Sequence, residues 1–208
     1  MADFRIEKKM LAKGFKAIAG IDEAGRGALF GPVVAAAVIF APDLIRGRKQ
    51  KWVREIDDSK RLSSRKRERL ARFLLLRADA IGIGVATCEE IDEINIFWAS
   101  QEAMRRAIKN MSVQPDFLLV DGFELNDVNY PQQGLRHGDR KCISIAAASI
   151  LAKVVRDRMM VHLNDIFDGY ALTKNKGYGT EEHFNALRNR GPTVFHRLTY
   201  NLMSEKDT

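Results

Sequence analysis

The sequence predicts an α/β protein in which helices flank a central sheet of mixed strand direction. Short apolar runs rich in Val and Ile, typical of strands, are interspersed with longer segments of helical apolar period. The first two runs are joined by a glycine-containing turn, which favours an antiparallel hairpin, and a later run lies between helical segments, as in a β-α-β unit. At 208 residues the chain is long enough to bury a substantial core.

The strand segments are almost continuously apolar, which indicates burial on both faces of the sheet. We predict strands over residues 17–21, 33–40, 81–86 and 117–120. Residues 126–140 are polar and contain Pro131, Gly134 and Gly138, so they form a loop, or a loop with a short strand, that carries Asp139.

Four helices are predicted from capping signals and apolar period. The first begins at Ser63 or Ser64 and ends near residue 78, and the second begins at a capping box of Thr87 and Glu90 and reaches residue 110, with a break near Asn95. The third covers residues 143–167, where consecutive alanines at 146–148 allow close approach to a sheet, and Thr180 caps the fourth. We expect Lys153, Arg156 and Arg158 to face outward from the third helix.

The domain organisation and composition are those of an ordinary globular protein. We divide the chain into an N-terminal extension (1–16), a main domain (17–200) and a polar tail (201–208). A formal charge of +7 and a pI near 9.5 favour a polyanionic partner. Cys88 and Cys142 lack metal-ligand spacing, and neither a signal peptide nor an apolar run long enough to span a membrane is present, so we expect a reduced, cytoplasmic protein.

Four acidic residues lie at the ends of apolar segments or in glycine-containing turns. Asp22 and Glu23 follow the first strand, Asp121 follows the fourth, and Asp139 lies in the polar segment beyond it. One such acid alone is typical of a turn or a helix cap, but clustered carboxylates repel one another unless a cation compensates them. Oxygen ligands without His or Cys favour Mg²⁺ or Mn²⁺ over zinc.

Short motifs that extend in order from about residue 17 to residue 200 carry a family resemblance. They are Asp22-Glu-Ala-Gly-Arg-Gly27, Gly31-Pro-Val-Val-Ala-Ala, Asp58-Ser-Lys60, Ile91-Asp-Glu-Ile-Asn95, Val120-Asp-Gly122, Gly138-Asp139, Ile145-Ala-Ala-Ala-Ser-Ile-Leu-Ala-Lys153, Arg156-Asp-Arg158, Lys176-Gly-Tyr178 and His196-Arg197. In content and order they resemble bacterial-type ribonuclease HII, a type 2 ribonuclease H.

The resemblance implies a ribonuclease H-like fold with a small C-terminal helical extension. It implies that Asp22, Glu23, Asp121 and Asp139 are catalytic and bind two divalent ions, Mg²⁺ or Mn²⁺, which neutralise charge around the scissile phosphate. The implied endonuclease hydrolyses the RNA strand of RNA/DNA hybrids and incises duplex DNA 5′ of embedded ribonucleotides, leaving 3′-hydroxyl and 5′-phosphate ends. No obligate protein partner is evident, and we expect a monomer.

Substrate-binding residues are implied in the same way. Gly25, Arg26 and Gly27 resemble the turn that senses ribose, because backbone groups without side chains can reach a 2′-hydroxyl. Tyr178 resembles the tyrosine that packs on the following deoxyribose. Candidate phosphate contacts are Ser59, Lys60, Lys153 and Lys176.

Other basic residues have two open interpretations. Lys153 also has the spacing of a helical ion pair with Asp157. Positive charge at residues 65–67, in the first turn of a helix, opposes the helix dipole, so this segment is either a phosphate contact or a solvated basic face.

Some residues depart from the commoner family pattern or have no role that the residues themselves indicate. The departures are Ala28, Phe30, His137 and Asn175, none of which removes an acid. His196 and Arg197 match a family motif, but no role follows from their chemistry. Trp52 and Trp98 are predicted to be packing residues.

Two alternatives compete with this interpretation. A type 3 ribonuclease H would need an additional N-terminal substrate-binding domain, whereas only residues 1–16 precede the first predicted strand. A non-catalytic RNA/DNA-binding module would retain the basic charge without the chemistry, and the intact set of acids argues against it.

Overall fold

A single sheet of mixed direction organises the computed structural model, which describes residues 2–48 and 50–203. Its strands are β1 (Ile18–Ala24), β2 (Val33–Ile39), β3 (Ala80–Ala86), β4 (Phe117–Asp121) and β5 (Gln132–Leu135). They lie in the order β3-β2-β1-β4-β5. The pairs β3/β2 and β2/β1 are antiparallel, whereas β1/β4 and β4/β5 are parallel. The predicted mixed sheet and its hairpin are therefore confirmed.

Helices cover both faces of this sheet. They are α1 (Arg5–Ala12), α2 (Pro42–Arg46), α3 (Ser64–Arg77), α4 (Cys88–Lys109), α5 (Ile143–Ile166), α6 (Leu172–Asn175) and α7 (Glu181–Arg190). The four predicted helices correspond to α3, α4, α5 and α7, and the predicted break in α4 lies at Asn95, where φ is 63°. The sequence prediction missed α1, α2 and α6. No helix in the described ranges is both long and apolar enough to cross a membrane.

The sheet separates two apolar layers. One face packs against α5, with α1 and α3 beside it, and the other face packs against α4. The predicted close approach of the alanines in α5 is confirmed, since all three are fully buried. Gly20 in β1 makes this approach possible, because a Cβ atom there would overlap the backbone of Ser144 in α5. The helix that contacts β1 is thus held close to the end of the strand that carries Asp22.

Helix α1 contributes to the same core through a buried acid. Glu7 is fully buried, and its Oε1 accepts hydrogen bonds from the Ser144 backbone N–H at 2.9 Å and the Cys142 thiol at 3.1 Å. Burial raises the pKa of Glu7. Phe4 and Met10 from this segment join the apolar layer between α5 and the sheet. Both cysteines are free and buried.

A third apolar cluster lies beyond the end of the sheet. It joins the C-terminal part of α5 to α6 and α7, with Phe30 at its centre. Phe30 stacks on Phe195 at a centroid distance of 5.9 Å and meets Phe167 edge-on at 5.7 Å. The C-terminal helical part therefore rests on the segment that follows the glycine turn of residues 25–27.

Candidate active site

The parallel pairing of β1 and β4 brings two of the predicted acids to one edge of the sheet. Ile21 pairs with Val120, so Asp22 and Asp121 follow at neighbouring positions. Asp139 lies in a 3₁₀ turn, Gly138–Arg140, that follows β5. The Gly138 N–H donates to Asp121 Oδ1 at 2.6 Å, which fixes this turn beside β4. Glu23, next to Asp22, completes the group, and we call these four residues the acid cluster.

Asp22 is the most strongly perturbed member of the acid cluster. Only 6% of the residue is exposed, and burial, reinforced by repulsion from Glu23 and Asp121, raises its pKa well above the usual value. Hydrogen bonds from Ser149 and the Glu23 backbone N–H oppose the rise, the latter at 2.7 Å. Its ionised form is therefore only partly compensated by the protein.

The other acids share this electrostatic conflict. Burial raises the pKa of Glu23, with Asp121 adding repulsion and Arg26 opposing the shift. Burial likewise raises the pKa of Asp139, and repulsion from Asp121 and Asp58 adds to it. Three neighbouring carboxyl groups are thus disfavoured as anions by the same surroundings.

The donor chemistry of the acid cluster fits a hard divalent cation. All four side chains offer carboxylate oxygens, and a cation would relieve the repulsion that contributes to the raised pKa values of Asp22, Glu23 and Asp139. In the part of the chain that the structure describes, no three or more His, Cys, Asp or Glu side chains are spaced as a ready-made metal cage. The acid cluster therefore matches a divalent cation in the type of its ligand atoms and not through a preformed coordination geometry.

A cleft of about 540 Å³ unites the acid cluster with most of the predicted substrate-binding residues. Its lining includes Asp22, Glu23, Gly25, Arg26, Gly27, Ser59, Lys60, Asp121, Asp139, Lys153 and Tyr178. Lys176 is the predicted residue that does not line it: its ammonium group donates to the Thr173 carbonyl at 2.6 Å. Arg67 and Ser149 also line the cleft, although neither was predicted as a site residue. Arg67 belongs to the basic first turn of α3, for which a phosphate contact was one of the two interpretations.

The glycine turn and Tyr178 are held together by backbone hydrogen bonds. Ala28 and Tyr178 form an isolated antiparallel bridge, and the Leu29 N–H donates to the Gly177 carbonyl at 2.8 Å. Gly25 has φ +103°, and a Cβ there would overlap the Arg156 side chain, so glycine is required at this position. The space next to Gly27 is open. The turn thus presents its backbone to the cleft beside the tyrosine ring.

The candidate phosphate contacts differ in their exposure and in their bonds to other protein groups. Lys60 is exposed at the edge of the cleft. Ser59 is buried and shares a hydrogen bond of 2.9 Å with Ser149. Lys153 forms the predicted pair with Asp157 at 2.7 Å, while its ammonium group lies 5.4 Å from the centre of the Tyr178 ring.

The prediction that Arg156 faces outward is wrong. Its side chain is fully buried and donates to the carbonyl oxygens of Pro32, Lys176 and Phe30 at 3.0, 2.8 and 2.9 Å. The reason is that α5 extends past the sheet, where the glycine turn and the segment before Tyr178 close over it. For the neighbouring Lys153, which is half-buried, the prediction fails in part, and Arg158 is exposed as expected.

Arg197 has a matching role from the other end of the chain. It is fully buried, and its guanidinium donates to the carbonyls of Gly31 at 2.8 and 3.0 Å and Arg26 at 2.8 Å. We call Arg156 and Arg197 the arginine clamp. The clamp joins three distant segments around the glycine turn, a role that no local pattern in the sequence indicates.

A histidine pair supports the same region. His183 and His196 are buried, with 3.1 Å between their Nε2 atoms, and His183 Nδ1 lies 3.0 Å from the Tyr178 carbonyl oxygen. Burial, with the neighbouring His183 contributing, lowers the pKa of His196 to about 4. Burial also lowers the pKa of His183. Both imidazoles are therefore neutral near pH 7.

The structure gives contacts or backbone conformations for residues that depart from the commoner family pattern. Asn175 is buried, donates to the Tyr170 carbonyl at 2.7 Å and accepts from the Gly177 N–H at 2.8 Å, so it braces the turn before Tyr178. His137 adopts a left-handed conformation (φ 54°) before the Asp139 turn. Trp52 is buried as predicted, but Trp98 is 41% exposed, so its prediction as a packing residue is wrong in part.

The fold and the acid-lined cleft define a protein of the ribonuclease H-like class. A ribonuclease H2 from Pyrococcus horikoshii is similar, with a TM-score of 0.70 and 25% identity over 89% of this chain and 94% of that one. A Bst ribonuclease HIII solved with Mn²⁺ has the same fold, with a TM-score of 0.65 and 19% identity over 90% of this chain and 68% of that one.

Sequence comparison narrows the class to a family. The sequence profile described as Ribonuclease HII matches residues 19–203. A Ribonuclease HII from Caldanaerobacter subterraneus subsp. tengcongensis is 48% identical over 93% of this chain and 78% of that protein. The chain belongs to the ribonuclease HII family, whose members are endoribonucleases that act on RNA/DNA.

Proposed function

We propose that this chain cuts the RNA strand of RNA/DNA hybrids and incises duplex DNA on the 5′ side of embedded ribonucleotides, with Asp22, Glu23, Asp121 and Asp139 as its metal-binding catalytic residues. The products would carry 3′-hydroxyl and 5′-phosphate ends. The observation that carries the proposal is the meeting of these acids, with raised pKa values for three of them, in one cleft with the glycine turn and Tyr178.

The acid cluster would hold two divalent ions, Mg²⁺ or Mn²⁺. When bound, such ions supply charge neutralisation on both sides of the scissile phosphorus and acidify a water molecule. The protein keeps the ligands in place: the Gly138 N–H orients Asp121, and Ser149 with the Glu23 N–H orients Asp22. Lys60 adds positive charge at the edge of the cleft, where it can contact a phosphate.

Recognition of the ribose would rest on the glycine turn. The backbone at Gly27 is open to the cleft, so its peptide groups can hydrogen-bond a 2′-hydroxyl that DNA lacks. The Tyr178 ring, braced through the bridge to Ala28, would pack on the next sugar. The glycine turn and the Tyr178 ring together would recognise the junction between a ribonucleotide and the deoxyribonucleotide that follows it.

Replacement of Asp121 by Asn tests the catalytic assignment. We expect Mg²⁺- or Mn²⁺-dependent cutting of a duplex with one ribonucleotide to fall at least about a hundredfold, because a charged ligand to the ions is lost. Circular dichroism should show an unchanged fold. Asp127→Asn is the matched control, since Asp127 is an exposed acid of the loop after β4 and does not line the cleft. Equal activity of the Asp121 variant and wild type would refute the assignment.

Tyr178 provides a separate test of junction reading. Tyr178→Ala should lower kcat/KM on the single-ribonucleotide duplex by about tenfold, whereas Tyr178→Phe, which keeps the ring, should remain within about twofold of wild type. Cleavage of an all-DNA duplex at a rate equal to that of the ribonucleotide-containing duplex would contradict ribose recognition.

A further inference from the structure

A second, smaller pocket adjoins the acid cluster, and four apolar side chains contribute to its lining. It has a volume of about 80 Å³ and is lined by Phe97, Met104, Phe123 and Leu125, together with Glu23, Arg26, Ser100, Gln101, Asp121 and Gly122. Phe123 is 69% exposed and Phe97 is 39% exposed. We call this the aromatic pocket. Its two phenylalanines are exposed beside the candidate catalytic residues, although neither belongs to the predicted site.

Phe123 is held in place by a braced loop. It lies two residues after Asp121, beyond Gly122, whose φ of +81° turns the chain away from β4. The Gln132 side chain then exchanges hydrogen bonds of 2.8 Å with the backbone N–H and carbonyl of Leu125. In addition, Gln101 Oε1 accepts from the Asn126 N–H at 2.9 Å. The exposed position of Phe123 is thus fixed by hydrogen bonds on the residues that follow it.

Phe97 is placed by the break in α4. Asn95 adopts φ 63°, which is uncommon for a residue other than glycine, and its side chain accepts from the Phe97 N–H at 2.9 Å and from the Trp98 N–H at 3.3 Å. This cap restarts the helix with Phe97 in its first turn. Phe97 packs edge-on against Trp98 at a centroid distance of 5.0 Å. Local backbone strain therefore accompanies the placement of this ring beside the acids.

The aromatic pocket is continuous with the main cleft. Glu23, Arg26 and Asp121 line both, so the acids form the wall between them. The glycine turn and Tyr178 lie in the main cleft, and the two phenylalanines lie beyond the acids. If the scissile phosphate lies at the acid cluster, as in the proposed function, a strand that occupies the main cleft on one side would pass the aromatic pocket on the other.

We propose that the aromatic pocket contacts the sugar of the nucleotide immediately 5′ of the scissile phosphate, with Phe97 and Phe123 packing against the deoxyribose. This inference rests on the proposed function, which puts the ribonucleotide and Tyr178 on the 3′ side of the cut. An uncharged sugar fits the lining, because Arg26, the one basic side chain that the described residues contribute to the pocket, lies 3.5 Å from Glu23 as an ion pair. Every deoxynucleotide carries the same sugar, so this contact is independent of base sequence.

The test compares two duplexes that each contain one ribonucleotide. In one, the nucleotide 5′ of the cut is intact; in the other it is a propanediol spacer that retains the phosphates but lacks sugar and base. On the intact duplex, Phe123→Ala should lower kcat/KM by up to about tenfold, because one aromatic contact with the substrate is lost. On the spacer duplex, wild type and the variant should agree within about twofold, because the contact is already missing.

Ile166→Ala is the matched control, since Ile166 is 71% exposed at the end of α5 and lies outside both pockets. It should behave as wild type on both duplexes. The proposal is overturned if Phe123→Ala matches wild type on the intact duplex, which would leave the surface to another ligand such as a protein, or if its loss is equal on both duplexes. Failure of wild type to cut 5′ of the ribonucleotide would instead refute the proposed function, so the two failures are distinguishable.

Discussion

The acid cluster and the arginine clamp both contain charged groups that are buried near the glycine turn. The two differ in whether neighbouring protein groups stabilise the charge. The three Arg156 hydrogen bonds and the three that Arg197 makes to the Gly31 and Arg26 carbonyls end on backbone oxygens. Burial lowers the pKa of Arg156 to about 10, which leaves it charged near neutral pH. In the acid cluster, by contrast, burial raises the pKa of Asp22, and repulsion from two further carboxyl groups, Glu23 and Asp121, adds to the rise.

This difference distinguishes a buried charge that holds chain segments together from buried charges that repel one another. A buried charge whose hydrogen bonds are satisfied stabilises the segments that it joins, here the turn and the residues around Tyr178. A group of buried charges that repel one another is unfavourable for folding and becomes favourable only when a ligand of opposite charge binds. The clamp holds the segments around the glycine turn, whereas the acid cluster would gain free energy from binding a cation, as the proposed function requires. The two regions should therefore respond oppositely to loss of charge.

The largest expected effect on stability is at the clamp. Arg156→Met should lower the free energy of unfolding by about 3–5 kcal/mol, because three backbone carbonyls lose their donor. Urea denaturation followed by circular dichroism measures this change. Arg158→Met, two residues further along α5, is the control: Arg158 is exposed and pairs with Glu68 on the surface, so its loss should cost less than about 1 kcal/mol. Equal effects of the two variants would show that the clamp has no special role.

The histidine pair should make stability sensitive to acid. The folded-state pKa of His196 is about 4, below the ordinary histidine value of about 6.5, so the unfolded chain binds a proton first as the pH falls. Stability is then fully present above about pH 6.5 and is lost as pH falls from there towards 4, by on the order of 2 kcal/mol. A His183→Gln/His196→Gln variant should show a smaller loss over this range, whereas His162→Gln, at an exposed position, should keep the wild-type slope. Parallel pH profiles for all three proteins would contradict this role.

The smallest expected change in the free energy of unfolding is an increase, in contrast to the decrease expected at the clamp. Asp22→Asn should raise the free energy of unfolding of the metal-free protein by about 1 kcal/mol at pH 7, because it removes one of the repelling charges. For a carboxyl group whose folded pKa is raised, stability falls as pH rises from the unfolded value through the folded value. The wild-type protein should therefore lose stability over that range relative to the variant. Destabilisation by Asp22→Asn at pH 7 would mean that repulsion within the acid cluster is already compensated.

Local patterns were sufficient to predict the main secondary structure. Continuous apolar runs predicted four of the five strands found in residues 2–48 and 50–203, and caps such as Thr87 with Glu90 predicted the starts of long helices. The short helices α2 and α6 were missed because four or five residues carry too little periodicity to distinguish them from turns. Helix α1 was missed because its buried acid, Glu7, makes its inner face look polar. Its partners, Cys142 and Ser144, lie far away in the chain.

The sequence by itself determined the set of acids, the glycine turn, Tyr178 and the family, because these depend on residue types in short motifs. Only the tertiary structure decided how they are joined. Arg156 looked like an exposed helical arginine until three chain segments were seen to converge on it, and the exposed faces of Phe97 and Phe123 are visible only beside the acid cluster. The physical reason is that burial and hydrogen-bond compensation are properties of segments that meet in space. A local sequence pattern specifies a side chain but not the carbonyl groups or charges that will surround it.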